Sequence, residues 1–355
     1  MNKKILITGG CGFVGASLAL ELKKKYPASI IYVLDNLKRR GSELNISRLS
    51  EVGIVFVHGD IRNKEDLEQF NELNVIIDAA AEPSVLAGLN GSTDYLIHTN
   101  LNGTINCLNL ALKTKADFIF LSTSRVYPIK SLESINFQES ETRFTIAEKQ
   151  SIYGVSKKGI AENFPLIGAR SLYGTTKLAS ELVIAEYNEL LGVKTVINRC
   201  GVLTGPYQMG KVDQGVVVLW VAKHFWNKEL SYVGYGGEGK QVRDILHVKD
   251  LVNLIDIQLT NIDKVNGRTY NVGGGIDISV SLQELTMLCQ EVTGNKIKID
   301  KIAQTRQADI RMYLTDNSLV EKELNWKPEI SPLQIIEEVY DWIKVNEKQL
   351  KPILS

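Results

Sequence analysis

The sequence predicts an α/β protein, a doubly wound parallel sheet with a smaller mixed α/β lobe. Three observations carry that reading. Over the first 200 residues, short β-rich runs alternate with segments whose apolar residues recur at three- and four-residue spacings. A glycine-rich turn, TGGCGFVG, follows the first of these runs directly. After Gly205 the rhythm changes to glycine-rich loops (GYGGEGK, NVGGG), isolated strand-like pieces and amphipathic helices.

Six runs read as strands: Lys4–Thr8, Ile30–Leu34, Val55–His58, Val75–Asp78, Phe118–Leu121 and Lys194–Asn198. Between them, Val14–Lys25 and Asn100–Lys113 read as helices, so the alternation is that of a Rossmann-type sheet. Asp244–Val248 and then Lys249–Leu259 read as a further strand and helix that rejoin the first lobe, and Leu333–Val345 is the last helix. The expected division is 1–200, with 244–260 rejoining it, and 201–355 as a mainly substrate-binding lobe.

Lys plus Arg equals Asp plus Glu at 41 each, so no overall field draws the chain to nucleic acid or an anionic membrane. Cys11, Cys107, Cys200 and Cys289 form no CxxC pair, and the four histidines show no metal-ligand spacing with them. The expectation is a reduced, metal-free cytoplasmic protein. The apolar run in MNKKILIT stops at Gly9-Gly10, and GVVVLWVA from Gly215 falls far short of the ~20 residues that span a bilayer. No membrane partner is expected.

The turn after the first strand brings Gly9, Gly12, Phe13, Val14 and Gly15 to the head of a helix. Small residues there let the backbone approach a pyrophosphate, which the free N–H groups of the helix start stabilise. Asp35 ends the second strand, 20 residues after Gly15, where an acid accepts bonds from ribose hydroxyls and disfavours a 2′-phosphate. NAD is therefore expected over NADP, with Asn36 beside it; Arg39 and Arg40 read as a solvated face. Asp60 and Ile61 in HGDIR stand where an adenine edge would lie, and Ala79, Ala80 and Ala81 in IIDAAAEPS beside the nicotinamide half.

The fifth strand ends in FIFLSTSRVYP, which sets Ser122, Thr123 and Ser124 at the sheet edge where ligands bind in open α/β folds. Two YxxxK pairs follow, Tyr153 with Lys157 and Tyr173 with Lys177. A phenol has a pKa of ~10, and a lysine ammonium one helical turn away, together with a cationic nicotinamide, favours the phenolate. Tyr153 is nearer to Thr123 along the chain, but its helical continuation meets Gly159 and Pro165. Tyr173 opens LASELVIAEYNELLG, in which Leu178, Ala179, Leu182, Val183, Tyr187 and Leu191 make an apolar stripe with Glu181 and Glu189 off it. A frayed helix cannot position a base, so the reading favours Tyr173 and Lys177.

With TGGCGFVG, the Asp35 strand end, STSRVY and YGTTK in this order, nearly the whole chain resembles the extended short-chain dehydrogenase/reductase family acting on nucleotide sugars. The resemblance implies Thr123, Tyr173 and Lys177 as catalytic residues. It also implies tightly bound NAD, regenerated each turnover, with Asn100, Ser122 and Cys200 near it. RDILHVKD resembles the family segment whose arginine, here Arg243, contacts the nucleotide, and RQADIR the later segment carrying Arg306. Ser84, Ser124 and Arg125 are implied beside the substrate.

Branches within the family differ after the strand-five threonine. Dehydratases carry Asp-Glu there and decarboxylases a glutamate at the second place, where this chain has Ser124-Arg125. The resemblance thus implies an epimerase that oxidises a sugar hydroxyl and returns hydride to the opposite face. The 4-epimerase asparagine before the Gly-Pro turn is here Val202, so the diphosphate must be held differently. Gln208, Lys211 and Gln214 either fill that role or belong to a solvated loop. A homo-oligomer, tetramer or dimer, is also implied.

Overall fold

A computed structural model describes residues 2–88, 92–210 and 214–355. The chain divides into two compact units, the first made of residues 1–126, 172–199 and 252–270, the second of 127–171, 200–251 and 271–355. This differs from a boundary at residue 200. The segment 127–171 belongs with the second unit, and the chain returns to the first only from Val252.

The first unit is built on strands β1 (Lys4–Thr8), β2 (Ile30–Asp35), β3 (Val55–His58), β4 (Val75–Asp78), β5 (Asp117–Thr123), β6 (Thr195–Cys200) and β7 (Arg268–Val272). Their order in the sheet is β7-β6-β5-β4-β1-β2-β3. The pairs β1–β2, β1–β4, β2–β3 and β4–β5 are parallel. The order reverses between β1 and β4, the kind of switch point where open α/β sheets bind ligands. Six strands are foreseen from the sequence; the seventh, RTYNV, escapes because glycines bound it on both sides and mask its alternation. The expected strand at Asp244 is part of Val242–His247, which pairs in the second unit instead.

One core cluster joins Leu6, Ile76, Phe118, Phe120 and Ile197 of the sheet to Leu108 of helix α1 (Gly103–Thr114) and Ile184 of helix α2 (Leu172–Glu189). Each such side chain contributes roughly 1.5–3 kcal/mol on burial. The buried face of α2 is only in part the expected apolar stripe: Val183 and Tyr187 pack against that core cluster, but other members do not. Leu182 is 65% exposed and Leu191 48%, while Tyr173, Thr176, Lys177, Ser180, Glu181 and Ile184 are buried. Polar groups can take the packed face because partners receive them: Ser180 Oγ donates to the Asn100 carbonyl at 2.9 Å, and Glu181 accepts from Ser122 and Arg199.

In the second unit, strands Val202–Thr204, Val242–His247 and Ser279–Ser281 lie side by side, with Met312–Tyr313 also paired to Val242–His247. Parallel and antiparallel pairings are mixed. Helices Val216–Phe225, Leu282–Thr293 and Pro332–Val345 pack on one another. Ser281 and Ser331 start the latter two with capping boxes. The stretch GVVVLWVA, read as apolar from the sequence, lies largely in the buried helix Val216–Phe225. Among the described residues no helix is long and apolar enough to cross a membrane.

Asp244 sits at the centre of this unit, where the glycines of NVGGG make room for it. A Cβ on Gly273 would lie 2.1 Å from Asp244 Oδ2. That oxygen accepts from the backbone N–H groups of Gly275 and Thr315, each at 3.2 Å. Burial pushes the carboxyl up from 3.8 to about 6. Because the folded value exceeds the unfolded one, the associated stability is full below pH ~4 and is lost as pH rises through about 6. Asp244→Asn should therefore gain on the order of 2–3 kcal/mol relative to wild type between pH 4 and pH 7. Chemical denaturation of both proteins at several pH values measures this, and a pH-independent difference would contradict it.

Candidate active site

The candidate residues of the first unit collect at the C-terminal ends of its strands and the heads of the helices that follow. Helix Phe13–Lys25 begins at Gly12, and Gly9 has φ +61°. A Cβ on Gly9 would meet Ala80 Cα at 2.8 Å, and one on Gly15 would meet the Gly9 carbonyl at 2.3 Å. Only glycine fits either position, so the loop backbone packs against the Ala79–Ala80 chain and the head of the helix. Asp35 faces this loop: Oδ2 accepts from Cys11 N at 3.0 Å and Oδ1 from Leu37 N at 2.8 Å. Burial raises its pKa, while those backbone bonds hold it down. With the Gly12 N–H also acting on it, the carboxylate, which has about four acceptor sites, keeps capacity for a ribose hydroxyl. These residues fit an NAD adenosine and pyrophosphate.

Beside them lies a recess of about 460 Å³ lined by Asn36, Lys38, His58, Asp60, Arg62 and Asp66 among others. Asp60 accepts from Arg62 at 2.6 Å and from Asn36 at 2.8 Å. Burial alone would raise its pKa, but the hydrogen bonds to Arg62 and Asn36 bring it to about 2. Its carboxylate thus stiffens the wall. Ile61 is buried and packs against Gly103 at the start of α1.

Ahead of α1 the chain makes one π-helical turn, His98–Asn102. Such a turn releases a backbone carbonyl from the helical ladder. The Asn100 carbonyl accepts from Ser180 and Thr104, while its amide donates to the Glu82 carbonyl at 3.0 Å and its Oδ1 accepts from Glu82 N at 2.8 Å. Asn100 therefore fastens the segment after β4 to α2. Phe13, Val14, Ala81 and Ser84 are all half-buried along this edge.

Ser122 and Thr123 end β5, and both are buried. Thr123 Oγ1 accepts from Arg125 N at 3.2 Å, which opens the tight turn Ser124–Val126. Ser122 Oγ donates to Glu181 at 2.5 Å, so this hydroxyl serves the packing of α2. Helix α2 packs on β5 and on that turn. It carries Tyr173 and Lys177 on its buried face, with the Lys177 ammonium 3.8 Å from the Phe120 ring centroid. A cation on an aromatic face in a dry site stays charged at lower cost. Tyr153 is 72% exposed in a turn, and Lys157 pairs with Glu148 at 2.9 Å on the surface. The first YxxxK therefore has no helix and no packed setting.

The model of the family described as "NAD dependent epimerase/dehydratase family" matches residues 5–273, well over half of the 355. The chain belongs to the NAD dependent epimerase/dehydratase family. It is 31% identical to a CDP-paratose 2-epimerase of Salmonella typhi, over 96% of this chain and 98% of that one. A putative UDP-glucose 4-epimerase of Methanocaldococcus jannaschii is 29% identical over 97% of this chain and 99% of its own. Among solved structures, a dTDP-glucose 4,6-dehydratase of Streptomyces venezuelae, with NAD bound, superposes with a TM-score of 0.79 at 25% identity, covering 99% of both chains. As an enzyme of this family the protein uses NAD, and it carries the Rossmann-type sheet of the extended short-chain dehydrogenase/reductases.

The other expected residues lie in the second unit. Arg243 donates to Asp309 at 2.9 Å and to the Ile310 carbonyl at 2.7 Å, so it is held by the RQADIR segment; Arg306 of that segment is exposed. Gln208 donates to the Leu203 carbonyl at 2.9 Å, a bond that fixes its own loop. The Gln214 carbonyl oxygen is buried without a partner among the described residues. Cys200, at the end of β6, is buried. Lys211 lies outside the described residues.

Two residues of the first unit escape the sequence reading. Glu181 stands one turn beyond Lys177, and Arg199 donates to it from Nε at 3.0 Å and from a terminal nitrogen at 2.7 Å. The available signal was spacing: Tyr173, Lys177 and Glu181 repeat every four residues, hence one helix face.

Proposed function

We propose that the protein is an epimerase that converts CDP-paratose to CDP-tyvelose at C2. Support comes chiefly from similarity to a CDP-paratose 2-epimerase over 96% of this chain and 98% of that one. The Ser124-Arg125 pair adds to it, because elimination or decarboxylation needs acidic groups that are not at these positions. In this reading Tyr173, as phenolate, takes the proton of the C2 hydroxyl. Lys177 favours that phenolate and holds the nicotinamide ribose, and Thr123 hydrogen-bonds the reacting oxygen. NAD would supply there the reversible hydride acceptor that oxidation and re-reduction at C2 require. Gly9, Gly12, Gly15 and Asp35 hold the cofactor through the cycle. Arg243 and Arg306 contact the nucleotide part of the substrate, and Gln208, Lys211 and Gln214 are the candidates for holding its diphosphate.

The second reading is a UDP- or dTDP-sugar 4-epimerase, the same chemistry at another carbon, favoured by the similarity to a putative UDP-glucose 4-epimerase. A proton NMR assay of purified protein with CDP-paratose and with UDP-glucose, without added cofactor, separates them. Conversion of CDP-paratose alone is expected. Conversion of UDP-glucose alone would favour the second reading, and conversion of neither would favour a non-catalytic NAD-binding regulator. We infer in addition a cytoplasmic homo-oligomer, tetramer or dimer, whose mass light scattering measures; a monomer would contradict it.

A further inference from the structure

Besides the apolar packing of Ile184, helix α2 is tied into the sheet by a buried ion pair. Glu181 is 5% exposed, Arg199 and Ser122 are buried, and three donors from two neighbouring strands converge on one carboxylate: Ser122 Oγ from β5, and Nε and a terminal nitrogen of Arg199 from β6. The contact is a fork, the geometry in which a guanidinium fixes direction as well as distance. It lies on the helix face that carries Tyr173 and Lys177, one turn beyond the lysine and two beyond the tyrosine. A hydrophobic pair would hold the helix as firmly, and replacing a buried ion pair by apolar residues is often neutral or stabilising. The choice of charged groups here calls for an electrostatic reason.

We propose that Glu181 and Arg199 are positioning residues for the proton-transferring tyrosine: they clamp α2 in register with the end of β5, and their mutual neutrality keeps the field at the Tyr173 phenol at its working value. The proposal rests on the assignment of Tyr173 as the base. A lone charge at Glu181 would sit ~12 Å along the helix from Tyr173. At an effective dielectric of ~20 such a charge moves a phenol by about one pH unit. A lone carboxylate would oppose ionisation and a lone guanidinium would favour it; the pair does neither. Other charged groups on elements packed against α2 are Arg125 in the turn after β5, Asp94 and His98 ahead of α1, and Lys113 and Asp117 at the far ends of α1 and β5. They set the absolute value and cancel in comparisons between variants.

Glu181→Gln keeps the size of the side chain and leaves Arg199, which stays protonated, as an uncompensated cation. The test is a pH titration of the ultraviolet tyrosinate signal of the NAD-bound protein, taken as the difference between each protein and the same protein with Tyr173→Phe. The Tyr173 ionisation should move about one pH unit lower in Glu181→Gln and return to within about 0.3 of wild type in Glu181→Gln/Arg199→Met. A merely structural pair would leave it in place in both. An unmoved ionisation in Glu181→Gln, or an equal shift in the double variant, would overturn the inference while leaving the base assignment intact. Absence of any Tyr173 ionisation below the ordinary phenol range in wild type would remove the base assignment itself, and the inference with it. Should Glu181→Gln fail to fold, Arg199→Lys keeps the charge and loses the fork. It should leave the ionisation within about 0.3 of wild type and slow CDP-paratose conversion roughly tenfold, and unchanged conversion would overturn the clamp.

Discussion

Tyr173→Phe is expected to lower turnover of the nucleotide sugar by on the order of 10²–10⁴-fold, the usual worth of a positioned proton-transfer group. The substitution removes one oxygen from a side chain whose ring is already buried, so folding and retained NAD should change little. Thermal unfolding and the cofactor released on denaturation measure those two quantities, and the NMR assay measures turnover. Tyr153→Phe, at a phenol that is 72% exposed in a turn, should leave turnover within about twofold of wild type. Loss of activity in Tyr153→Phe with retention in Tyr173→Phe would reverse the assignment.

Arg199→Met should have the largest effect on stability. It strips Glu181 of its guanidinium bonds and leaves a 5% exposed carboxylate that, among the described residues, accepts from Ser122 alone. Breaking one side of such a pair typically costs about 3–5 kcal/mol, because the remaining charge is buried without compensation. Glu181→Gln/Arg199→Met should recover much of that loss, since no charge remains to desolvate. Denaturant unfolding of the two variants decides the point. Equal stabilities for the single and the double variant would mean that the pair is held by contacts other than charge.

The sequence made the cofactor half of the site legible because its signals are local. Gly9 and Gly15 are demanded by backbone approach within a few residues, and Asp35 follows at the end of the next strand. Strand ends at Thr8, His58 and Asp78 were readable for the same reason: short β-branched runs stop at small or polar residues. Helix continuity after Tyr173 and its interruption after Tyr153 were also legible, and the packed face of the helix was legible in part, through Val183 and Tyr187. An apolar stripe through Leu182 and Leu191 is the bland expectation for a surface helix, whereas the buried face carries Lys177, Ser180 and Glu181. Their partners, Asn100, Ser122 and Arg199, lie many residues away in the chain, and no periodicity within α2 announces them.

Long-range pairing accounts for the other departures. The seventh strand has only five residues between glycine-flanked turns, and its place beside β6 depends on a chain that has first crossed the second unit. The strand at Val242–His247 carries the same β-rich pattern as a sheet strand of the first unit, but pairs with Val202–Thr204 and Ser279–Ser281. The segment 127–171 carries two short hairpins, Phe137–Glu139 with Phe144–Ile146 and Val155–Ser156 with Gly159–Ile160, which no longer-range sequence signal announces. Within the second unit, Arg143 in its first hairpin reaches Glu284 at 2.8 Å, and Tyr127 donates to Asn271 at 2.7 Å.

The central claim is transient oxidation of the sugar by an NAD that never leaves. It is tested most directly by converting CDP-paratose deuterated at C2 in light water, without added cofactor, and reading the product by NMR. The deuterium is expected to stay on C2 through epimerisation, because the same hydride leaves and returns. Washout of the label into solvent at the rate of turnover would contradict it and would point to removal of a proton from carbon instead.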